Sequence, residues 1–230
     1  FAEKMNADFT EVKALPPPFN VGDNYGGTTF SLDNKHMYIT MCKADKRGVL
    51  NCDIFSSDWE KGAWTELKNL GPNVNTADGW ESQPTLSSDG RVLYFSSARA
   101  DSKGMDIYKC EKDEKGEWLP AKNLGAPVNT DGNEKSPFIH SDSQTLYFSS
   151  DGQAGLGGFD IFFTKLDMNT FNWQVPKNIG YPINTDKDEV GFFVSTDGHL
   201  GYFSSNQLKG KGAGGYDIFS FELYKEARPE

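Results

Sequence analysis

The sequence predicts an all-β protein built as a ring of four antiparallel sheets. Three observations lead there: one phrase recurs at a nearly fixed interval, each interval holds four short strand candidates, and the last unit lacks a piece that the start of the chain supplies. The phrase reads Asn69-Leu70-Gly71-(x2)-Val74-Asn75-Thr76, then Asn123-Leu124-Gly125-(x2)-Val128-Asn129-Thr130, then Asn178-Ile179-Gly180-(x2)-Ile183-Asn184-Thr185, with steps of 54 and 55 residues. Such a period marks stacked or radially repeated supersecondary units.

Two further landmarks occur four times each. Asp33-Asn34, Asp89-Gly90, Asp142-Ser143 and Asp197-Gly198 each precede a short apolar run ending Tyr-Ile or Tyr-Phe. Asp-Ile-aromatic follows at Asp53, Asp106, Asp160 and Asp217. In the second unit the strands are expected at 82–86, 92–96, 106–111 and 119–123, with Asp89-Gly90 at the tip of the first hairpin. No segment sustains a 3.6-residue apolar period, so helices are expected to be nearly absent.

Four strands per unit without helices is the pattern of a propeller blade. The expected architecture is a four-bladed β-propeller of four-stranded antiparallel blades, forming a single domain over 1–230. Blade 1 covers about 23–70, blade 2 about 78–124, blade 3 about 133–179 and blade 4 about 188–224. The fourth unit stops after its third strand. Glu11-Val12-Lys13-Ala14-Leu15-(x4)-Asn20 matches the spacing of Leu70-(x4)-Asn75 at a shift of 55 residues. A strand at 9–15 is therefore expected to complete blade 4 and close the ring, removing a free sheet edge.

Thirteen per cent aromatic residues suit packed sheet faces, and 24 glycines reflect many turns. The net charge of −10 argues against nucleic acid or an anionic membrane as partner. No apolar run is long enough to span a bilayer, so direct membrane insertion is not expected. The chain begins at Phe1 and is read as a processed protein or a domain of a longer one, its targeting sequence lying outside it. Cys42 and Cys52 face each other across a hairpin loop. They read either as a disulfide, implying an oxidising environment, or as two neighbouring reduced thiols. Cys110 reads as a buried small hydrophobe.

The units share Glu-x-x-Pro-x-x-Ser-x-Asp-Gly, Leu-Tyr-Phe-Ser-Ser, Gly-Gly-aromatic-Asp-Ile-aromatic and Trp-x4-Asn-Leu-Gly-x2-Val-Asn-Thr. From about 9 to 224 this resembles the WD40-like propeller repeat of the TolB type. More narrowly, it resembles the version in OmpA-family envelope lipoproteins of the Bacteroidetes, including those of the type IX secretion system. Unit one departs most, with Tyr25 for the Glu, Thr28 for the Pro and Asp33-Asn34 for Asp-Gly. The resemblance implies a non-catalytic scaffold or interaction module, periplasmic and outer-membrane-associated, in an envelope or protein-transport assembly. Its implied partners are periplasmic or outer-membrane proteins. Peptidoglycan is reached only through an OmpA-like domain that this chain lacks. No catalytic residue carries over.

Eight residues before each turn Asp stand Tyr25, Glu81, Glu134 and Glu189, with Asp23, Asp78, Asp131, Asp186 and Asp188 nearby. Symmetry places the first four in a circle near one mouth of the channel. Two readings stand: the glutamates bond backbone amides of the neighbouring blade's loop, or they form a weak Ca²⁺ site. Paired carboxylates for glycoside hydrolysis are the weaker possibility, because catalysis needs acids of unlike environment. Otherwise no cofactor is expected, and the chain is read as no enzyme.

The glycine-rich loops at 155–158 and 210–215 lack a following helix, so they read as hairpin loops rather than phosphate cradles. His36, His140 and His199 fall at different repeat positions and are not expected to converge on a zinc. Tyr25, Trp59 and Trp80 break the repeat and are the candidates for contact with a partner. They also serve a second reading, a lectin-like propeller that binds carbohydrate or peptide at the channel mouth.

Overall fold

The computed structural model describes residues 4–5, 8–9, 12–20, 24–44, 48–207 and 215–229. Two short strands, β1 (Lys4–Met5) and β2 (Asp8–Phe9), pair with each other ahead of the first blade. Blade 1 is β3 (Asn24–Phe30), β4 (His36–Ala44) and β5 (Leu50–Glu60), edged by β6 (Ala63–Trp64) and β7 (Lys68–Asn69). Blade 2 is β8 (Trp80–Leu86), β9 (Val92–Ala98), β10 (Asp106–Glu111) and β11 (Lys122–Asn123). Blade 3 is β12 (Glu134–Ile139), β13 (Thr145–Ser150) and β14 (Asp160–Asp167), edged by β15 (Asn172–Trp173) and β16 (Lys177–Asn178). Blade 4 has three strands: β17 (Glu189–Val194), β18 (Leu200–Ser205) and β19 (Asp217–Glu222). All pairings are antiparallel, and a single 3₁₀ turn at Lys225–Ala227 is the helical content of the described residues.

Turn chemistry sets the first hairpin of each blade. The Asp89 carboxylate accepts the Ser87 hydroxyl (2.6 Å) and the Arg91 N–H (3.0 Å), and Gly90 takes φ 71°. Asn34 (φ 55°) and Ser143 (φ 57°) fill the same left-handed position, which explains why Asp-Asn and Asp-Ser serve as well as Asp-Gly.

The core lies in the seams between blades. Tyr38, Ile54 and Val74 meet Leu93, Phe95 and Tyr108. Tyr94, Ile107 and Val128 meet Leu146 and Phe148. Tyr147, Ile161 and Ile183 meet Phe192, Phe203 and Leu223. Trp118 stands edge-on to Tyr38 at 5.9 Å and Trp173 to Tyr94 at 6.2 Å, so these tryptophans lock their blade onto the one before. Ile54, Ile107 and Ile161 are each 0% exposed, a burial that stabilises by about 1.5–3 kcal/mol apiece.

The closing strand expected at 9–15 is not formed by the described residues. Asp8–Phe9 pairs with Lys4–Met5, residues 12–16 make no strand ladder, and β19 ends its sheet; Glu11 lies outside the described residues. Pro16, Pro17 and Pro18 offer no N–H to a ladder, and Phe19 N–H turns back to Pro16 O (3.2 Å). The packing half of the expectation is present. Leu15 and Phe19 lie beside Met37 and Ile39, the places that Leu70 and Val74 hold beside Leu93 and Phe95.

Cys42 and Cys52 are directly opposite in the β4–β5 register and are joined by a disulfide. Cys110 is buried and free, and burial pushes its thiol up to about 12. Closing a loop with a sequence separation of 10 restricts the unfolded chain by about 2–3 kcal/mol. Urea titration with and without reductant is expected to show a loss of that size, and coincident curves would show that the bridge contributes nothing.

Candidate functional site

The three repeated glutamates are 0% exposed. Glu81 accepts from Thr76 N–H (2.9 Å), the Thr76 hydroxyl (3.0 Å) and the Ser97 hydroxyl (2.8 Å). Glu134 accepts in the same way from Thr130 N–H (3.0 Å), its hydroxyl (2.7 Å) and Ser150 (2.7 Å). Glu189 repeats the arrangement with Thr185 and Ser205 at 2.8–2.9 Å. Each carboxylate thus ties the linker of the preceding blade to the first two strands of its own. Burial, the largest influence on Glu134, pushes its pKa up against the hydrogen bonds donated by Thr130 and Ser150.

Each glutamate of the circle expected at the channel mouth is thus engaged at its own blade junction. The oxygens of Glu134 and Glu189 already hold three donors each and those of Glu81 a fourth from Arg99, and among the described residues no three His, Cys, Asp or Glu side chains lie together. Of the accompanying acids, Asp131 and Asp186 are exposed and paired with Lys103 and Lys187, and Asp188 accepts from Phe159 N–H, Asn206 and Tyr216. Asp23 and most of the 210–215 loop lie outside the described residues.

The inner strands β3, β8, β12 and β17 surround a cavity of about 710 Å³. Each carries a bulge in the same place, with Gly27, Gln83, Ser136 and Gly191 at φ between 45° and 67°. Bulges re-aim side chains and are frequent beside binding sites. Here they build a belt across the blades: Gln83 N–H donates to the Thr40 hydroxyl (2.9 Å), and Ser136 N–H to the Gln83 carboxamide oxygen (2.9 Å). With its oxygen so engaged, Gln83 leaves its NH₂ as the group to offer.

Four residues before each turn Asp stand Thr29, Thr85, Phe138 and Phe193. At this position the wall is hydroxyl-bearing on blades 1 and 2 and aromatic on blades 3 and 4, and Phe30 adds a ring on blade 1. Thr29 and Thr85 accept from Leu86 N–H (3.3 Å) and Ile139 N–H (3.2 Å). The Phe138 and Phe193 rings meet at 4.7 Å between centroids, tilted by 52°, and Phe193 is 50% exposed. Among the described residues lining the cavity, His140 is the sole titratable side chain; its Nε2 lies 3.2 Å from Ser195 O, across the next seam.

Asp142, just behind that wall, is half-buried, with its side chain 7% exposed. Burial alone would raise its pKa, but the His140 ring, the N–H groups of Gln144 and Thr145 and the Thr145 hydroxyl together hold it well below the usual carboxylate range. A depressed folded value gives stability that is present above the unfolded carboxylate pKa and is lost as pH falls through the folded one. Melting curves below about pH 4 are expected to fall more steeply for the native chain than for Asp142→Asn; parallel curves would refute that role.

The structure separates the other candidates. Tyr25 packs against the Phe19, Met37 and Ile39 cluster at blade 1. Trp59 is exposed and edge-on to Trp64 at 5.3 Å, and Trp80 is half-buried at the start of β8. None of the three lines the cavity. Two residues went unnoticed in the sequence. Arg99 bonds Glu81 (3.0 Å) and Val74 O (2.8 Å) and lies 4.5 Å over the Tyr108 ring. Gln83 gave no residue-level sign, although the prolines at 84 and 137 mark the bulge. The Thr-Thr-Phe-Phe change at one offset from the turn Asp is legible in the sequence itself.

Four antiparallel sheets around a bore lined by their inner strands define a four-bladed β-propeller. No family model matches the sequence, and no curated protein matches it. The fold is similar to TolB from Acinetobacter baumannii (TM-score 0.54, 15% identity, 87% of this chain and 41% of that one). It is also similar to a putative TolB from Agrobacterium tumefaciens (0.55, 11%, 87% and 78%). A third likeness is the α-L-arabinofuranosidase PaAbf62A from Podospora anserina, in complex with cellotriose (0.57, 14%, 93% and 69%). Identities this low establish the fold alone, and the chain spans about two-fifths of the A. baumannii protein. No helix among the described residues is long and apolar enough to cross a membrane.

Proposed function

We propose that the chain is a non-catalytic binding module, a propeller that engages a protein partner in a periplasmic, outer-membrane-associated assembly. One observation carries the non-catalytic part: the repeated glutamates are fixed as struts between blades, and the described wall of the bore carries no carboxylate. Glycoside hydrolysis needs two acids flanking one bond; among the described residues no such pair faces the cavity. The envelope setting rests on the resemblance of the repeats to OmpA-family lipoproteins, including those of the type IX secretion system, and on the disulfide, which suits an oxidising compartment. Attachment to peptidoglycan would come through a domain outside this sequence.

A second reading, a lectin-like site for a neutral saccharide or peptide, is favoured by one feature. The exposed Phe193 ring faces a bore whose opposite wall offers hydroxyls and the Gln83 carboxamide. The test compares the native chain with Phe193→Ser in three assays: capture from envelope extract, a glycan array, and turnover of aryl glycosides. Capture of a defined envelope protein with a blank array is the expected result. Saccharide binding lost in Phe193→Ser, without protein capture, establishes the second reading. Turnover overturns both.

A further inference from the structure

Blade 1 reaches further than its neighbours at the end where the linkers run. The second and third strands of the four blades are level at Met41↔Asp53, Ser97↔Asp106, Ser150↔Asp160 and Ser205↔Asp217. Among the described residues, that pair is the last of the ladder in blades 2, 3 and 4. In blade 1 the ladder continues through Cys42↔Cys52, Lys43↔Asn51 and Ala44↔Leu50, an arm of about 10 Å beyond the blade. Two strands alone are marginally stable in water, and the disulfide between Cys42 and Cys52 stands at the root of this pair. The counterpart loops of blades 2 and 3 serve the next seam instead. Met105 N–H donates to the Asn133 carboxamide (3.1 Å), and Phe159 N–H to the Asp188 carboxylate (3.0 Å).

The chemistry of the arm departs from that of the body. Val49 is 55% exposed and Leu50 43% exposed, with Lys43 and Ala44 exposed beside them. Residues 42–52 hold Lys43, Lys46 and Arg47 against Asp45, in a chain of formal charge −10. Positions 45–47 lie outside the described residues and count by charge alone. The edge of β5 is open along the arm: among the described residues, β7 reaches Phe55 and Ser56, and β6 reaches Trp59 and Glu60.

We propose that this stapled arm, through Lys43, Val49, Leu50 and the open edge at 50–52, is a docking surface for an acidic, extended segment of a partner protein. An open edge offers its backbone groups to an added strand, and pockets or charges beside it select the side chains. Ala44 and Leu50 share one face of the ladder, Lys43 and Asn51 the other. A segment that alternates apolar and acidic residues matches both faces. A bilayer or a nucleic acid has no strand to offer that edge, and its extended negative charge also meets the acidic body. The proposal rests on the reading of the chain as a module that engages a protein, and it names the surface used.

Fluorescence anisotropy tests it on the unmodified chain with a short labelled peptide alternating glutamate and valine. The control peptide has lysine in place of glutamate. The acidic peptide is expected to bind and the basic one not, with affinity falling as salt rises. Lys43→Glu should weaken binding by about fivefold or more. Leu50→Ser should weaken it too, while both variants melt with the native chain. The amide resonances that move on binding should be those of 48–52 and not those of the bore. No binding of the acidic peptide, or equal binding by Lys43→Glu, overturns the proposal. Phosphatidylglycerol vesicles bound in preference to the peptide would assign the arm to a membrane and overturn it as well. Capture of an envelope protein that persists in Lys43→Glu but is lost in Phe193→Ser would overturn the arm and leave the protein-partner reading in place.

Discussion

Replacing Glu81 with alanine is expected to destabilise the propeller by about 3–5 kcal/mol, the cost of leaving one half of a buried ion pair alone. In a domain of this size that lowers Tm by roughly 6–20 °C. Three donors lose their acceptor at once: Thr76 N–H, the Thr76 hydroxyl and the Ser97 hydroxyl. Arg99, 12% exposed in its side chain, loses its counter-charge at 3.0 Å. Glu81→Gln keeps the volume and one acceptor oxygen, so it should lie between alanine and the native chain. The measurement is thermal unfolding followed by circular dichroism, with Lys115→Ala on an exposed turn as control. An alanine variant that melts with the control would show that the strut carries no load, and the cation reading of the glutamates would reopen.

Asn129→Ala is expected to cost about 2–4 kcal/mol, since a buried donor left without a partner costs about 1–3 kcal/mol by itself. Its side chain accepts Ile107 N–H (2.8 Å) and donates to Ile107 O (2.9 Å) and to Asn123 (2.7 Å). Removing it leaves the Ile107 amide in a seam sealed by Val128 and Leu146, where water has little access. Asn129→Asp should be at least as harmful, because a carboxylate cannot donate to the Ile107 carbonyl. Urea unfolding of both variants decides the matter. Equal midpoints for alanine and native chains would mean the amide finds another partner.

Repetition made the fold legible. Asp-Gly hairpins, Asp-Ile-aromatic strands and the Asn-Leu-Gly phrase each report a local requirement, and a requirement met three or four times in register is hard to misread. The strand at 106–111 was placed to the residue, whereas the fourth strand of that blade shrinks to Lys122–Asn123, since Pro120 interrupts it. Repetition served the site less well. The glutamates repeat because every seam needs the same strut, so their periodicity marked scaffolding. Tyr25, Trp59 and Trp80 break the repeat, yet they do so away from the bore. The departure that faces the bore is Thr29 and Thr85 giving way to Phe138 and Phe193, a change between two ordinary strand residues. Gln83 reaches the wall through a positive φ, which composition does not announce. Arg99 was hidden because its function depends on a neighbour 18 positions away.

The uncharged bore inside an acidic chain has a consequence for traffic. With a formal charge of −10 on the chain and no Asp, Glu, Lys or Arg in the described lining, the field of the protein disfavours the approach of an anionic solute. A metal ion or ammonium drawn to the exterior finds no counter-ion once inside, where losing its hydration goes uncompensated. A ligand for this cavity is therefore expected to be electrically neutral, held by ring faces, hydroxyls and the Gln83 carboxamide.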